Sequence, residues 1–253
     1  MAEAAGALLS VRNLSKRFGA LVVTDDVSLD IAQGELHAII GPNGAGKTTL
    51  IHQLSGMLAS DGGRVLLAGE DITRLPMHAR VRRGLARSFQ ITTLLDGFTA
   101  LENVALAVQA RSGSSFRFIA PAASERALNE EGLAILTRLG LEDRAQRRAG
   151  ALSHGEKRQL EIAVALATGA RTLLLDEPLA GTSHEESATL VALMRSLKRT
   201  HTLVLIEHDM DAVFALADRV SVLVYGRLIA SGRPQDVRAD AQVRAAYLGD
   251  EGA

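Results

Sequence analysis

Short unbroken apolar runs set the framework of this chain. Leu36-His37-Ala38-Ile39-Ile40, Leu173-Leu174-Leu175 and Leu203-Val204-Leu205-Ile206 read as strands buried on both faces, as parallel strands are. Leu8 to Leu14 and Val22 to Ile31 read as further strands with turn signals between them. After the Gly62-Gly63 break, Arg64 to Leu67 and Asp71-Ile72 add more strand, and Val220 to Val224 with Leu228-Ile229 close the series. Between the strands the spacing turns helical. Thr49 to Leu58 places Leu50, Leu54 and Leu58 on one face, and Lys157 to Thr168 reads as a long helix. Asp209 is a natural N-cap for a helix through Leu216, and a short helix runs to Leu248. Residues 91–151 change character. Leu101 to Arg111 and Ser124 to Leu139 are amphipathic helices joined by a link of small residues with Pro121, which predicts a helical insert in an α/β domain.

Composition changes this picture little. Apolar residues make up 47% of 253, which suits a well-filled α/β core, and the length allows one large domain or two small ones. A net charge of −1 offers nucleic acid no global attraction. The absence of cysteine excludes disulfides and thiolate metal sites and fits a cytosolic protein. No apolar run approaches the roughly 18 residues that span a bilayer. The opening MAEAAGALLS carries Glu3 and no Lys or Arg, unlike a secretory signal. The expectation is a protein that can dock on a membrane protein without crossing the bilayer.

The sharpest chemistry lies at Gly41-Pro42-Asn43-Gly44-Ala45-Gly46-Lys47-Thr48-Thr49, which fits G-x-x-x-x-G-K-[ST]. Glycines let successive backbone N–H groups turn inward on an anion. Lys47 brings a point charge to the β- and γ-phosphates, the Thr48 hydroxyl is a Mg²⁺ ligand, and the helix starting near Thr49 adds its positive end. The apolar run at 173–175 ends in Asp176-Glu177-Pro178. Asp176 is placed to hold Mg²⁺ directly or through water, leaving Glu177 to polarise an attacking water. The run at 203–206 ends in Glu207-His208-Asp209, where His208 is either an ordinary surface residue or a γ-phosphate contact.

Other residues stay open at this level. Phe18, one of only six phenylalanines, is either core or a flat platform for adenine. Ser153 and Glu156 spell S-x-x-E, a capping box that leaves Gly155 unexplained, so the segment is either a cap or an anion site. Arg80, Arg82, Arg83 and Arg87 form a basic run that reads as a solvated face.

The order of the pieces resembles the ATP-binding subunits of ABC transporters over nearly the whole chain. It runs phosphate loop, Gln90 after a strand, helical insert, Leu152-Ser153-His154-Gly155-Glu156, LLLDE at 173–177 and EHD at 207–209. The resemblance implies a single cassette over residues 8–250, with a phosphate-loop α/β core, an N-terminal antiparallel β subdomain and an inserted helical subdomain. It implies that Phe18 stacks adenine and that Gln90 senses Mg²⁺ and the membrane domain. Ser153 and Gly155 would close on the nucleotide of a facing subunit, with Glu177 the general base and His208 the switch histidine. ATP and Mg²⁺ would be bound.

GLARSFQ at 84–90, LENV at 101–104, LEIAVALAT at 160–168, DEPLAG at 176–181, EHDM at 207–210 and AYLG at 246–249 are similar to branched-chain amino-acid importers, and the long insert resembles their larger ATPase subunit. Urea and amide importers share most of these stretches. Partners implied are membrane permease subunits, a second ATPase subunit in a homo- or heterodimer, and indirectly an external solute-binding protein, at the cytoplasmic face of the membrane. A soluble ABC ATPase acting on nucleic acid would ordinarily add features this chain lacks. Intact Lys47, Asp176, Glu177 and His208 argue against a non-hydrolysing regulatory binder. Two departures stand out: His154 and Glu156 in the LSGGQ-like segment, and Ser183 where related loops carry Asp or Asn.

Overall fold

The computed structural model describes residues 7–88, 94–112 and 126–248. Gln90, Ser124 and Pro121 lie outside them. Two sheets form among the described residues. The first is antiparallel, in the order β2 (Leu21–Ala32), β1 (Ala7–Phe18), β4 (Gly62–Leu67), β5 (Glu70–Asp71). The second has the order β10 (Arg227–Gly232), β9 (Arg219–Val224), β3 (Leu36–Ile40), β8 (Thr202–Ile206), β7 (Thr172–Asp176), β6 (Leu85–Arg87). All its pairings are parallel except that of β10 with β9. Every residue of β3, β7 and β8 is buried, as their continuous apolar character predicts.

Alternation along these strands feeds two different cores. Leu173 and Leu175 of β7, with Leu203 and Leu205 of β8, pack into a helical core. Leu174, Val204 and Ile206 point the other way, into a core shared with Leu9, Val11 and Ile31 of the antiparallel sheet and Leu50, Ile51 and Leu54. The helical core joins α3 (Ala100–Ser112), α4 (Arg126–Arg138), α5 (His154–Ala167) and α6 (His184–Leu197) through Val104, Leu136, Leu160 and Leu190. The helices of the 91–151 region thus pack on α5 as well as on each other.

Three expectations need correction. Helix α1 spans Lys47–Ser55 rather than Thr49 to Leu58. Gly56 takes the left-handed conformation (φ 78°) that ends a helix, so Leu58 lies beyond it. Helix α5 begins at His154, three residues before Lys157, because Ser153 caps it. The arginine run is not one solvated face. Arg82 and Arg83 are exposed, whereas Arg80 and Arg87 are buried. Arg80, in α2 (Met77–Arg82), donates to the carbonyls of Gln53 and Leu54 at 2.8 and 2.7 Å, and to those of Thr73 and Leu75. A cation at the carboxyl end of α1 satisfies carbonyls that the helix leaves unpaired.

Candidate functional site

The phosphate-loop residues follow β3 directly, so the loop opens at the carboxyl end of the parallel sheet, where α/β folds bind ligands. Gly46 has φ 102°, and a Cβ there would sit 2.4 Å from the Val23 carbonyl oxygen of β2, so no larger residue fits. The loop is wedged between β2 and the turn after β9 (Gly226 N–H to Ala45 O, 2.9 Å). Lys47 opens α1 and folds back over the loop, donating to the carbonyls of Gly41 (2.6 Å) and Pro42 (2.9 Å). Burial pulls its ammonium below the ordinary lysine value, while the charges of Glu177 and then Asp176 pull the other way. Thr48 and Asn43 are exposed on the mouth of the loop.

Asp176 ends β7. Its Oδ2 accepts from Arg87 Nη2 of β6 at 2.7 Å, and both side chains are almost fully buried. The register explains the pair, because Arg87 lies beside Leu174 on the neighbouring parallel strand. Asp176 Oδ1 is buried with no hydrogen-bond partner. A buried anionic oxygen left open beside the phosphate loop fits a Mg²⁺ ion or its bound water, the remaining donors being the Thr48 hydroxyl and phosphate oxygens. Glu177 follows in the left-handed region (φ 46°), which is costly for a residue with a side chain, and its N–H donates to Ile206 O of β8 (2.9 Å). Backbone strain of this kind, on a carboxylate at the strand end, is common where a side chain must be aimed.

His208 is exposed beyond β8. Asp209 caps α7 (Met210–Leu216) as expected, accepting from Ala212 N–H at 3.0 Å. Phe18 is half exposed at the end of β1, opposite exposed Leu21 in the hairpin, with Lys16 Nζ 5.6 Å from its ring centroid. It is therefore not core and is available as a stacking surface.

Ser153 and Gly155 sit apart from this cluster. No hydrogen bond or ion pair joins them to residues 41–49 among the described residues, and α5 packs in the helical core while α1 packs in the other. The capping box is present in full: Glu156 N–H donates to Ser153 Oγ, and Ser153 N–H to Glu156 Oε2. Glu156 also pairs with Arg144, so this departure from the usual glutamine gains a cation. Ser183 caps α6 through an equivalent box with Glu186, the role an Asp or Asn would fill there.

Four residues here have roles that the sequence did not reveal. Arg87 and Arg80 hold buried partners. Glu207, buried at the end of β8, accepts from Leu179 N–H at 2.8 Å and His208 N–H at 3.1 Å, and burial raises its carboxyl above the ordinary range. Glu186 reaches the first turn of α5. Its S-x-x-E spacing from Ser183 was visible in the sequence; its long-range contact was not.

Comparison with known proteins places this geometry. The model of the ABC transporter family matches residues 24–180, and that of the branched-chain amino acid ATP-binding cassette transporter family matches residues 227–253. The high-affinity branched-chain amino acid transport ATP-binding protein BraF of Pseudomonas aeruginosa is 39% identical over 250 residues, covering 96% of this chain and 98% of its own. LivG of Escherichia coli, with the same descriptive name, is 37% identical with the same coverage. The lipopolysaccharide export system ATP-binding protein LptB of Acidithiobacillus ferridurans is 36% identical over 245 residues, covering 96% and 98% of the two chains. The crystal structure of the ADP conformation of MJ1267, an ATP-binding cassette of an ABC transporter, superposes with a TM-score of 0.85 at 32% identity, over 96% of this chain and 99% of that one. A family match over most of the core, full-length relatives and a shared cassette fold agree with the site: this chain belongs to the ABC transporter family, as one of its ATP-hydrolysing subunits.

Proposed function

We propose that the chain powers import of branched-chain amino acids through separate permease subunits, as a peripheral protein on the cytoplasmic face of the membrane. It would pair with a second ATPase subunit, and an external solute-binding protein would deliver substrate. The observation that carries the catalytic part is the convergence of Lys47, Asp176 and Glu177 at the carboxyl end of the parallel sheet. The names of the relatives and the match at 227–253 support the substrate class. No helix among the described residues is long and apolar enough to cross a membrane, which agrees with separate permease subunits.

In this reading the backbone N–H groups of residues 41–49 and the Lys47 ammonium bind the phosphates, and Phe18 stacks the adenine. Thr48, Asp176 and Gln90 would hold Mg²⁺, which would supply charge neutralisation at the phosphates. Glu177 accepts the proton of the attacking water, and His208 contacts the γ-phosphate. Ser153 and Gly155 donate to the γ-phosphate of the facing subunit, which accounts for their distance from the loop of their own chain.

Lys47→Ala is expected to lower hydrolysis by about 10²–10³-fold, the usual cost of one preorganised charge-stabilising donor, and to weaken nucleotide binding. Steady-state ATPase assays and nucleotide titration check both, and near-normal turnover would remove Lys47 from the site. Vesicles reconstituted with the whole transporter are expected to take up leucine, isoleucine or valine in an ATP-dependent manner that needs this subunit. Uptake of urea or a short amide instead, with none of the three carried, would overturn the substrate class and leave the transporter assignment standing.

A further inference from the structure

The first turn of α5 already holds an anion from its own chain. Glu186 Oε1 accepts from Ser153 Oγ at 2.8 Å and from Gly155 N–H at 3.1 Å. Its other oxygen accepts from Ser183 N–H at 3.0 Å. Gly155 permits the approach: a Cβ at 155 would stand 2.7 Å from Glu186 Cγ and Cδ. The two donors engaged are those that the proposed function assigns to the γ-phosphate of a facing subunit, and the inference rests on that reading.

We infer that Glu186 is a resident competitor for the γ-phosphate, occupying the Ser153 and Gly155 donors until a facing ATP displaces it. Each of these donors has one hydrogen to give, so phosphate and carboxylate cannot both be served by them. Two anions at that spacing also repel, so the carboxylate swings aside as the phosphate docks. It has somewhere to go, because Ser183 N–H and the capping box hold it at the start of α6. Glu186 itself lies nine residues beyond Glu177 in the chain. Displacement therefore reports the arrival of ATP at α5 to the segment that follows the general base.

Glu186 is thus a positioning residue: it sets how much ATP is needed to close the pair, and touches no reacting atom. Three hydrogen bonds, the Ser183 N–H first and then Ser153 and Gly155, hold its carboxyl down at about 2. The charged form is therefore present throughout the range in which the protein is assayed, and is lost only as pH falls through that value.

Glu186→Gln tests this. Glutamine keeps the capping box with its single acceptor oxygen and turns its NH2 toward Ser153 Oγ, so the charge-assisted bonds from Ser153 and Gly155 to the carboxylate are lost. In a Glu177→Gln background, where ATP persists, the ATP concentration for half-maximal dimer in light scattering is expected to fall about three- to tenfold, since charged bonds exceed neutral ones by about 1 kcal/mol. ADP binding to the monomer is expected to stay unchanged, because the phosphate loop is untouched. Glu186→Ala is expected to lower the midpoint as well, with an added loss of thermal stability from the broken cap. The full chain is measured alone and with any second ATPase subunit that co-purifies with it. An unchanged or raised midpoint in Glu186→Gln, with the parent still dimerising in ATP, overturns the competitor role. A parent that does not dimerise in either preparation overturns the shared-site reading beneath it.

Discussion

Glu177→Gln is expected to leave ATP bound, slow its hydrolysis by about 10²–10⁴-fold and trap a nucleotide-bound dimer. A positioned general base contributes that order to rate. Glutamine keeps the shape and hydrogen-bonding capacity of the side chain but cannot take the proton. Glu177 is a coulombic neighbour of Lys47, but the hydrogen bonds that hold Lys47 and Asp176 come from other residues. Lys47 is held by Gly41 and Pro42, and Asp176 by Arg87, so nucleotide binding survives. With the γ-phosphate intact, the proposed bridge to Ser153 and Gly155 of the facing subunit would persist, so association is expected to follow ATP and vanish with ADP. An ATPase assay beside size-exclusion chromatography with light scattering, in ATP and Mg²⁺, checks both halves. Hydrolysis at the wild-type rate would remove Glu177 as the base. Slow hydrolysis without a dimer, whether the chain is alone or with a second subunit, would keep Glu177 and overturn the shared site.

Arg87→Met is expected to cost about 3–5 kcal/mol of stability, the usual penalty for removing one partner of a buried ion pair. Arg87 and Asp176 are 3% and 1% exposed, so solvent cannot take over the lost contact. Methionine fills much the same volume, which keeps the deficit electrostatic rather than a cavity. For a chain of this size the melting temperature would fall by roughly 6–20 °C. Mg²⁺ with nucleotide should recover part of the loss, because in the proposed site the ion would approach the same carboxylate. Urea unfolding with and without nucleotide measures this, and a loss below about 1 kcal/mol would show that the pair contributes little to the fold.

Much of the architecture was readable because it is written locally. The runs at 36–40, 173–175 and 203–206 are apolar at every inward and outward position bar His37, and only strands covered on both faces tolerate that. The phosphate loop, the Ser153 capping box and the Asp209 cap each lie within a few consecutive residues. What escaped reading depends on partners distant in sequence. Arg87 finds Asp176 across 89 residues, and Arg80 finds the end of α1 across 27. Taken alone, four arginines in eight residues look like solvated charge, and nothing local separates the two that turn inward. Helix α1 stops early because Gly56 adopts a left-handed turn while the apolar spacing continues to Leu58. Phe18 was undecided because its exposure depends on what the β1–β2 hairpin packs against.

The parallel sheet also acts as a mechanical partition. Adjacent residues of β7 and β8 belong to different cores, so each strand is clamped from both sides along its length. Packed interiors compress little and transmit strain, so a push on the helices is carried through the sheet to the other core with little give. The strands end together at the carboxyl rim of the sheet. Asp176, Glu177 and Glu207 stand at that rim, and Glu207 ties the end of β8 to Leu179 in the segment leading to α6. These carboxylates thus stand on the rim of a stiff diaphragm, Asp176 and Glu207 buried and tied to their neighbours, where a shift of the helical side is carried to the backbone that aims them.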